Sequence, residues 1–174
     1  MYPFVRSRQF LPKELSDSVL CNAVETVIKA AEVEGDCCNW PSALKNPTEG
    51  RPPFLLQWCH GAPGVIISLN NIPSGYSEEF DHLLIKGGET IWQAGPLTKS
   101  AGLCHGTDGN GYALLKLYTR TGEKKWLDRA RKFAMHAIEQ TSARYALWEG
   151  DLGLACFLHA CITEDDRFPL LDLV

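Results

Sequence analysis

The sequence predicts an all-α protein, an α/α toroid of which only part of the ring is present. Three observations lead to this fold: glycine-containing segments recur at a nearly constant spacing, a short apolar run follows each of them, and amphipathic stretches lie between the runs. Repeats of this length are typical of stacked supersecondary units, each too small to bury its apolar face alone.

The recurring segments have the pattern G-x-x-G. Their first glycines are Gly61, Gly106 and Gly150, so the steps along the chain are 45 and 44 residues. The runs that follow, at 65–69, 112–118 and 154–158, are apolar on nearly all sides, which predicts burial. Buried strands would also fit these runs, but Pro63 suits a first helical position and Asp151 suits a first turn. We therefore expect short buried helices.

Longer amphipathic stretches alternate with these runs. Leu20 and Trp126 each begin a stretch with apolar residues at offsets of 4, 7, 8 and 11, the spacing of one helix face. A similar pattern runs from Phe80 to Ile91. Each repeat is thus a buried helix covered by an amphipathic helix, and rotation about an axis would give an inner and an outer ring. We expect a single domain over residues 1–174, with the clearest repeats at 54–162.

Two further segments fall outside the repeats. Residues 34–53 are rich in glycine and proline, which predicts a long irregular connection. The tail from Thr163 is polar and then apolar, and residues 168–171 could fold back onto the body.

Composition excludes several classes of protein. Hydrophobic residues make up 45% of the 174 and charged residues 22%, close to globular averages. No apolar stretch approaches the roughly 18 residues of a membrane span, and the first residues lack the apolar region of a secretion signal. A formal charge of −4 argues against nucleic acid as a partner. A cytoplasmic protein is expected.

The cysteines point to metal binding. There are seven, an odd number, and Cys59 and Cys104 each stand directly before a histidine. In a chain without an export signal this pattern favours a metal site or catalysis over a disulfide framework. Simple packing of buried cysteines beside hydrogen-bonded histidines is the alternative.

A toroid would bring both Cys-His pairs to the mouth of its inner ring, because they occupy the same place in successive repeats. Thiolate and imidazole groups suit a zinc ion, and we favour Cys59, Cys104 and His105 as its ligands. His60 beside Cys59 would crowd the ion. Three protein ligands leave a position open, as in catalytic sites; a closed structural site that also uses His60 stays open as an alternative.

Residues 58–65, 102–106 and 148–153 together resemble the signature motifs of lanthionine synthetase C-like proteins, and the resemblance extends from about residue 17 onward. It implies a toroid of seven helical hairpins with zinc held at Cys59, Cys104 and His105. In that family the open position binds a thiol and lowers its pKa, and the thiolate adds to a dehydroalanine or dehydrobutyrine to give a thioether. The thiol is a peptide cysteine in bacterial cyclases and glutathione in eukaryotic relatives.

The same resemblance implies roles for two more residues. His60 would be the catalytic acid or base that delivers a proton to the enolate carbon; a histidine that only satisfies the turn is the alternative. Lys99 lies five residues before Cys104, where glutathione-binding relatives have a lysine, and it would hold a substrate carboxylate. A solvated loop lysine is the alternative.

The chain is about half as long as the family leads one to expect. An incomplete ring would expose the apolar edges of its end hairpins, which favours self-association. The expected function is therefore a zinc-dependent enzyme that activates a thiol for thioether formation. The alternatives are a truncated remnant of such an enzyme, or a scaffold protein in which zinc only ties two repeats together.

Overall fold

The computed structural model describes residues 10–43, 49–50 and 52–172. These residues form six α-helices and two short strands. In chain order the elements are α1 (Lys13–Lys29), β1 (Glu32–Glu34), β2 (Cys37–Asn39), α2 (Ala62–Leu69), α3 (Glu78–Ala94), α4 (Thr107–Thr121), α5 (Lys124–Ile138) and α6 (Asp151–Thr163).

Three helices form an inner row. Helices α2, α4 and α6 each begin at the residue after the first glycine of a G-x-x-G segment. Helix α2 packs on α4, and α4 packs on α6. The middle helix is the most enclosed, since every residue from Thr107 to Leu117 is buried. The predicted buried helix is confirmed for α4, and α2 is buried over most of its length. Helix α6 is only half-buried, because Ala155 within the run 154–158 is exposed, so burial on all sides was wrong for the third repeat.

The amphipathic helices form an outer layer. Helix α3 covers α2 and α4, α5 covers α4 and α6, and α1 packs on α3. The face of α5 that begins at Trp126 and includes Phe133 is buried, as its periodicity predicted. The described residues therefore form an arc of two helical layers, and closure of these layers into a toroid stays a prediction. None of the described helices combines the length and apolar character needed to cross a membrane.

The expectation of an entirely helical chain is wrong in one detail. Strands β1 and β2 form an antiparallel hairpin that pairs Val33 with Cys38. Its turn and β2 fall within residues 34–53, which were expected to be irregular. The turn is tight because Gly35 adopts a φ of +58°, and β2 is retained because Thr90 of α3 exchanges two 2.8 Å hydrogen bonds with the backbone of Cys38. Residues 44–48 and 51 of the predicted connection lie outside the described residues.

The tail folds back onto the inner row, as expected. Phe168 is fully buried, and its ring lies 5.0 Å from that of Tyr112 on α4 and 5.5 Å from that of Trp58. Lys116, buried in α4, pairs with Asp172 at 2.8 Å. An apolar contact and a buried ion pair thus join the end of the described chain to the helix at the centre of the core.

Candidate metal centre

The G-x-x-G segments are tight turns in which two backbone stretches touch. A Cβ atom added at Gly64, Gly109 or Gly153 would collide with the carbonyl oxygen of the residue six positions earlier. The same collision recurs in all three repeats, so the pattern reflects a required close approach of the backbone. This packing sets the path of the residues that precede each inner helix.

Hydrogen bonds hold the three segments side by side. The N–H of Cys59 donates to the carbonyl of Cys104 at 3.2 Å, and the N–H of Cys104 donates to the carbonyl of Trp148 at 2.9 Å. We count the residue two places before the first glycine of each segment as its first position, so that the glycine is the third. Each bond joins the first position of one segment to the first position of the next. The two cysteines are neighbours for this reason, although they belong to different repeats.

The predicted ligands lie together. The ligand atoms of Cys59, Cys104 and His105 are all within 4.8 Å of one another. Cys59 is exposed, while Cys104 and His105 are half-buried, so solvent reaches the cluster from one side. Two sulfur atoms and one imidazole nitrogen at this spacing could hold a transition-metal ion.

His60 stands beside this cluster and is not one of its members. Its N–H and its carbonyl both bond to the backbone of Gln57 at 2.9 Å, which fixes the turn before α2. The half-buried His60 side chain and that of Cys59 line an open cleft of about 610 Å³, together with apolar residues that include Trp40 and Val65. A molecule in this cleft would reach His60 and Cys59 together.

The environment of Cys104 resists ionisation when no cation is present. Burial, a hydrogen bond with Cys59 and the charge of that thiol raise the pKa of Cys104 to about 11. The charge of Lys99 acts in the opposite direction and lowers the same pKa. Lys99 is exposed and forms no ion pair with any described residue.

Sequence reasoning missed two side chains at the cluster. Gln57 directs its amide nitrogen at the sulfur of Cys59, 3.2 Å away. Glu149 lies with one carboxylate oxygen 3.6 Å from Nε2 of His105. The second position of each segment was the available signal, because Glu149 stands where the other repeats have His60 and His105. Gln57 carried no comparable signal.

The cysteine-bearing turn is supported from two sides. On one side Asn39 of β2 accepts the N–H of Ala62 at 2.8 Å and donates to the carbonyl of Leu55 at 3.2 Å. On the other side Asn110 of α4 donates to the carbonyl of Leu56 at 3.1 Å. These bonds give hydrogen-bond partners to backbone groups that, in a loop, would otherwise bond to water.

The chain is similar to known proteins over most of its length. Residues 1–173 match the family described as lanthionine synthetase C-like protein. A LanC-like protein GCL1 from Arabidopsis thaliana is 34% identical over 145 residues, covering 75% of this chain and 32% of that protein. A protein from Danio rerio named glutathione S-transferase LANCL1 is 36% identical over 135 residues, covering 69% of this chain and 33% of that protein.

The match to each of these relatives spans about a third of the relative's length. The family match, by contrast, covers nearly all of this chain. The segments that resemble the family's motifs also carry the cysteine and histidine cluster. This chain therefore belongs to the lanthionine synthetase C-like family.

Proposed function

We propose that Cys59, Cys104 and His105 hold a zinc ion. The observation that carries this proposal is the clustering of their three ligand atoms within 4.8 Å. Ligand atoms bound tetrahedrally to one zinc ion are about 3.8 Å apart, so side-chain movements of about 1 Å or less would close the site. Burial keeps the thiol of Cys104 protonated. A bound cation would stabilise the thiolate and so oppose this effect.

We propose further that the site has room for a substrate thiol. The cluster provides three protein ligands, Cys59 is exposed, and the cleft beside it is open. Zinc with three protein ligands keeps one position free for water or substrate, and the ion would lower the pKa of a thiol held there.

The reaction that suits such a site is the addition of a thiol to a dehydroamino acid. The thiol loses its proton, its sulfur forms a bond to the β-carbon, and the carbon–carbon double bond gives its electron pair to the α-carbon, which takes up a proton. No leaving group or redox partner is needed. His60, which lines the cleft beside Cys59, is the proposed donor of that final proton.

Glutathione is the thiol that we propose first. The Danio rerio relative is named a glutathione S-transferase, and Lys99, five residues before Cys104 in the sequence, is an exposed cation whose charge lowers the pKa of that thiol. An ammonium group near the cluster could hold a carboxylate of the tripeptide. A peptide cysteine is the second candidate thiol, and a peptide containing a dehydroamino acid is the proposed electrophile. All of these chemistries are compatible with the cytoplasm, where thiols stay reduced.

The competing proposal is a scaffold or remnant without catalysis. It draws support from the partial coverage of the relatives, since most of each relative has no counterpart in the match. Helix α6, the last helix of the arrangement, also exposes Leu152 and Ile162, which favours self-association through this helix. In that case zinc would only join the first two repeats.

Metal analysis of the purified protein tests the site. We expect about one zinc per chain, lost in Cys59→Ala, Cys104→Ala and His105→Ala, and retained in His60→Ala. His60→Ala is the matched control, because it removes the neighbouring imidazole without removing a proposed ligand. Equal loss of zinc in His60→Ala would contradict the open site and favour the closed one.

Cobalt substitution distinguishes the proposal of an enzyme from that of a scaffold. Cobalt(II) reports its coordination through visible absorption bands, and a thiol entering a free position should shift these bands when glutathione is added. S-methyl glutathione is the control, because it has the same carboxylates and no ionisable thiol. Unchanged bands with glutathione would count against thiol activation and in favour of a structural site.

A further inference from the structure

Glu149 lies beside His105 as a consequence of the repeat. The second positions of the segments are His60, His105 and Glu149, and the segments are hydrogen-bonded in register through their first positions. The carboxylate of the third repeat is thereby brought to the imidazole of the second. Oε1 of Glu149 is 3.6 Å from Nε2 of His105.

The glutamate is held on its other side. Its Oε2 forms an ion pair with Nη2 of Arg144 at 2.6 Å, which leaves Oε1 facing the histidine. Its backbone is held as well, because a Cβ atom added at Gly102 would come within 2.8 Å of the Glu149 Cα. A separation of 3.6 Å is longer than a hydrogen bond, but a shift of about 0.6 Å would form one. Such a shift is within reach of two partly exposed side chains.

We infer that Glu149 is a positioning residue for the metal ligand His105. Its carboxylate accepts the Nε2–H of His105, so that Nδ1 is the nitrogen left for the ion. Ligating histidines commonly donate their second ring N–H to a carboxylate, which selects the tautomer and orients the ring. Arg144 in turn orients the carboxylate. This inference rests on the proposed zinc site and adds to it a role for the third repeat, which contributes no ligand.

The test compares zinc affinities, measured by competition with a chromophoric chelator at fixed pH. Glu149→Gln keeps the size of the side chain and removes the charged acceptor. Glu164→Gln is the matched control, since Glu164 is 43% exposed and bonded to Arg131, much as Glu149 is 40% exposed and bonded to Arg144. Glu164 follows the C-terminal end of α6, about 20 Å along the helix from the segment that carries Glu149.

We expect Glu149→Gln to bind zinc about 10- to 100-fold more weakly than the wild type. Glu164→Gln should match the wild type, and the cobalt spectrum of Glu149→Gln should keep the band positions of two thiolates and one imidazole. Unchanged zinc affinity in Glu149→Gln would overturn the inference. A cobalt spectrum showing the loss of a ligand would also overturn it, because Glu149 would then bind the ion itself.

The tautomer gives a second readout that does not depend on a variant. In the zinc-loaded wild type, long-range nitrogen–proton NMR correlations should show His105 protonated at Nε2. Protonation at Nδ1 would overturn the inference even if the zinc site is intact. Failure of the wild type to bind zinc at all would instead defeat the proposed site, so the two results are distinguishable.

Discussion

The backbone N–H of Cys59 donates a 3.2 Å hydrogen bond to the carbonyl oxygen of Cys104, 45 residues further along the chain. This bond places two thiols from successive repeats at one site. It depends on the packing of α2 against α4 and on the turns that begin both helices. Substitutions in those turns should therefore affect the cluster without touching its ligands.

Gly109→Ala should weaken both the fold and the metal site. The added methyl group collides with the carbonyl of Leu103, next to Cys104, so this turn must move. We expect a loss of about 2 kcal/mol or more in the free energy of unfolding, measured by urea denaturation, and a weaker zinc affinity.

Gly87→Ala in α3 is the control for that change. Its nearest contacts would be side-chain atoms at 3.3 Å, and alanine favours a helix over glycine by about 1 kcal/mol. The unfolding free energy and the zinc affinity should both fall less than in Gly109→Ala, because side chains rather than a carbonyl oxygen meet the added methyl group. Similar losses in both variants would show that close backbone approach is not what the G-x-x-G pattern preserves.

Lys99→Met should weaken glutathione binding and leave zinc binding unchanged. An exposed ion pair contributes about 1 kcal/mol, which corresponds to a roughly fivefold rise in Kd. Calorimetric titration of the zinc-loaded protein with glutathione measures this Kd. Lys124→Met is the control, because Lys124 pairs with the surface residue Asp128. An unchanged Kd would remove Lys99 from the proposed substrate site.

Asp108→Asn should change how stability depends on pH. Asp108 is fully buried at the start of α4, and neither carboxylate oxygen has a hydrogen-bond partner among the described residues. Burial, with a smaller effect from Asp151, raises the pKa of its carboxyl group to about 7. The native state then holds a proton that the unfolded chain releases, so this group costs stability increasingly as pH rises from about 4 to 7.

The asparagine variant carries no such penalty. The unfolding free energy of Asp108→Asn minus that of the wild type should increase by about 2 kcal/mol between pH 5 and pH 8. Urea denaturation of zinc-free protein at both pH values measures the difference, and the comparison cancels titrations that the two proteins share. A constant difference between them would mean that Asp108 titrates near its ordinary pKa.

Phe168→Ala should destabilise the protein strongly. The Phe168 ring is fully buried and stacks on the ring of Trp58. The Trp58 ring also stacks on the ring of Trp148, with 5.0 Å between their centroids. Truncation of a buried phenylalanine costs about 3–5 kcal/mol. Urea denaturation followed by tryptophan fluorescence measures the loss. Leu170→Ala in the same tail is the control, because Leu170 is 58% exposed and should change stability by less than about 0.5 kcal/mol.

Much of the helical fold was predictable because its signals are local. A run that is apolar on nearly all sides after a glycine turn, such as 112–118, indicates burial, and the spacing from Trp126 onward defines one helix face. The hairpin around Gly35 was not predictable in this way. Its strands are three residues long, and β2 is held by Thr90, which is remote in sequence.

The sequence by itself determined the repeat, the helical layers and the pairing of cysteine with histidine at the same place in two repeats. These follow from periodicity and from equivalent positions, which are properties of the chain. Only the tertiary structure decided that three of the four candidate ligands cluster while His60 lies beside them and lines the cleft, and that Glu149 faces His105. Those relationships depend on distances of a few ångströms between separate repeats, and helix packing and turn geometry set such distances.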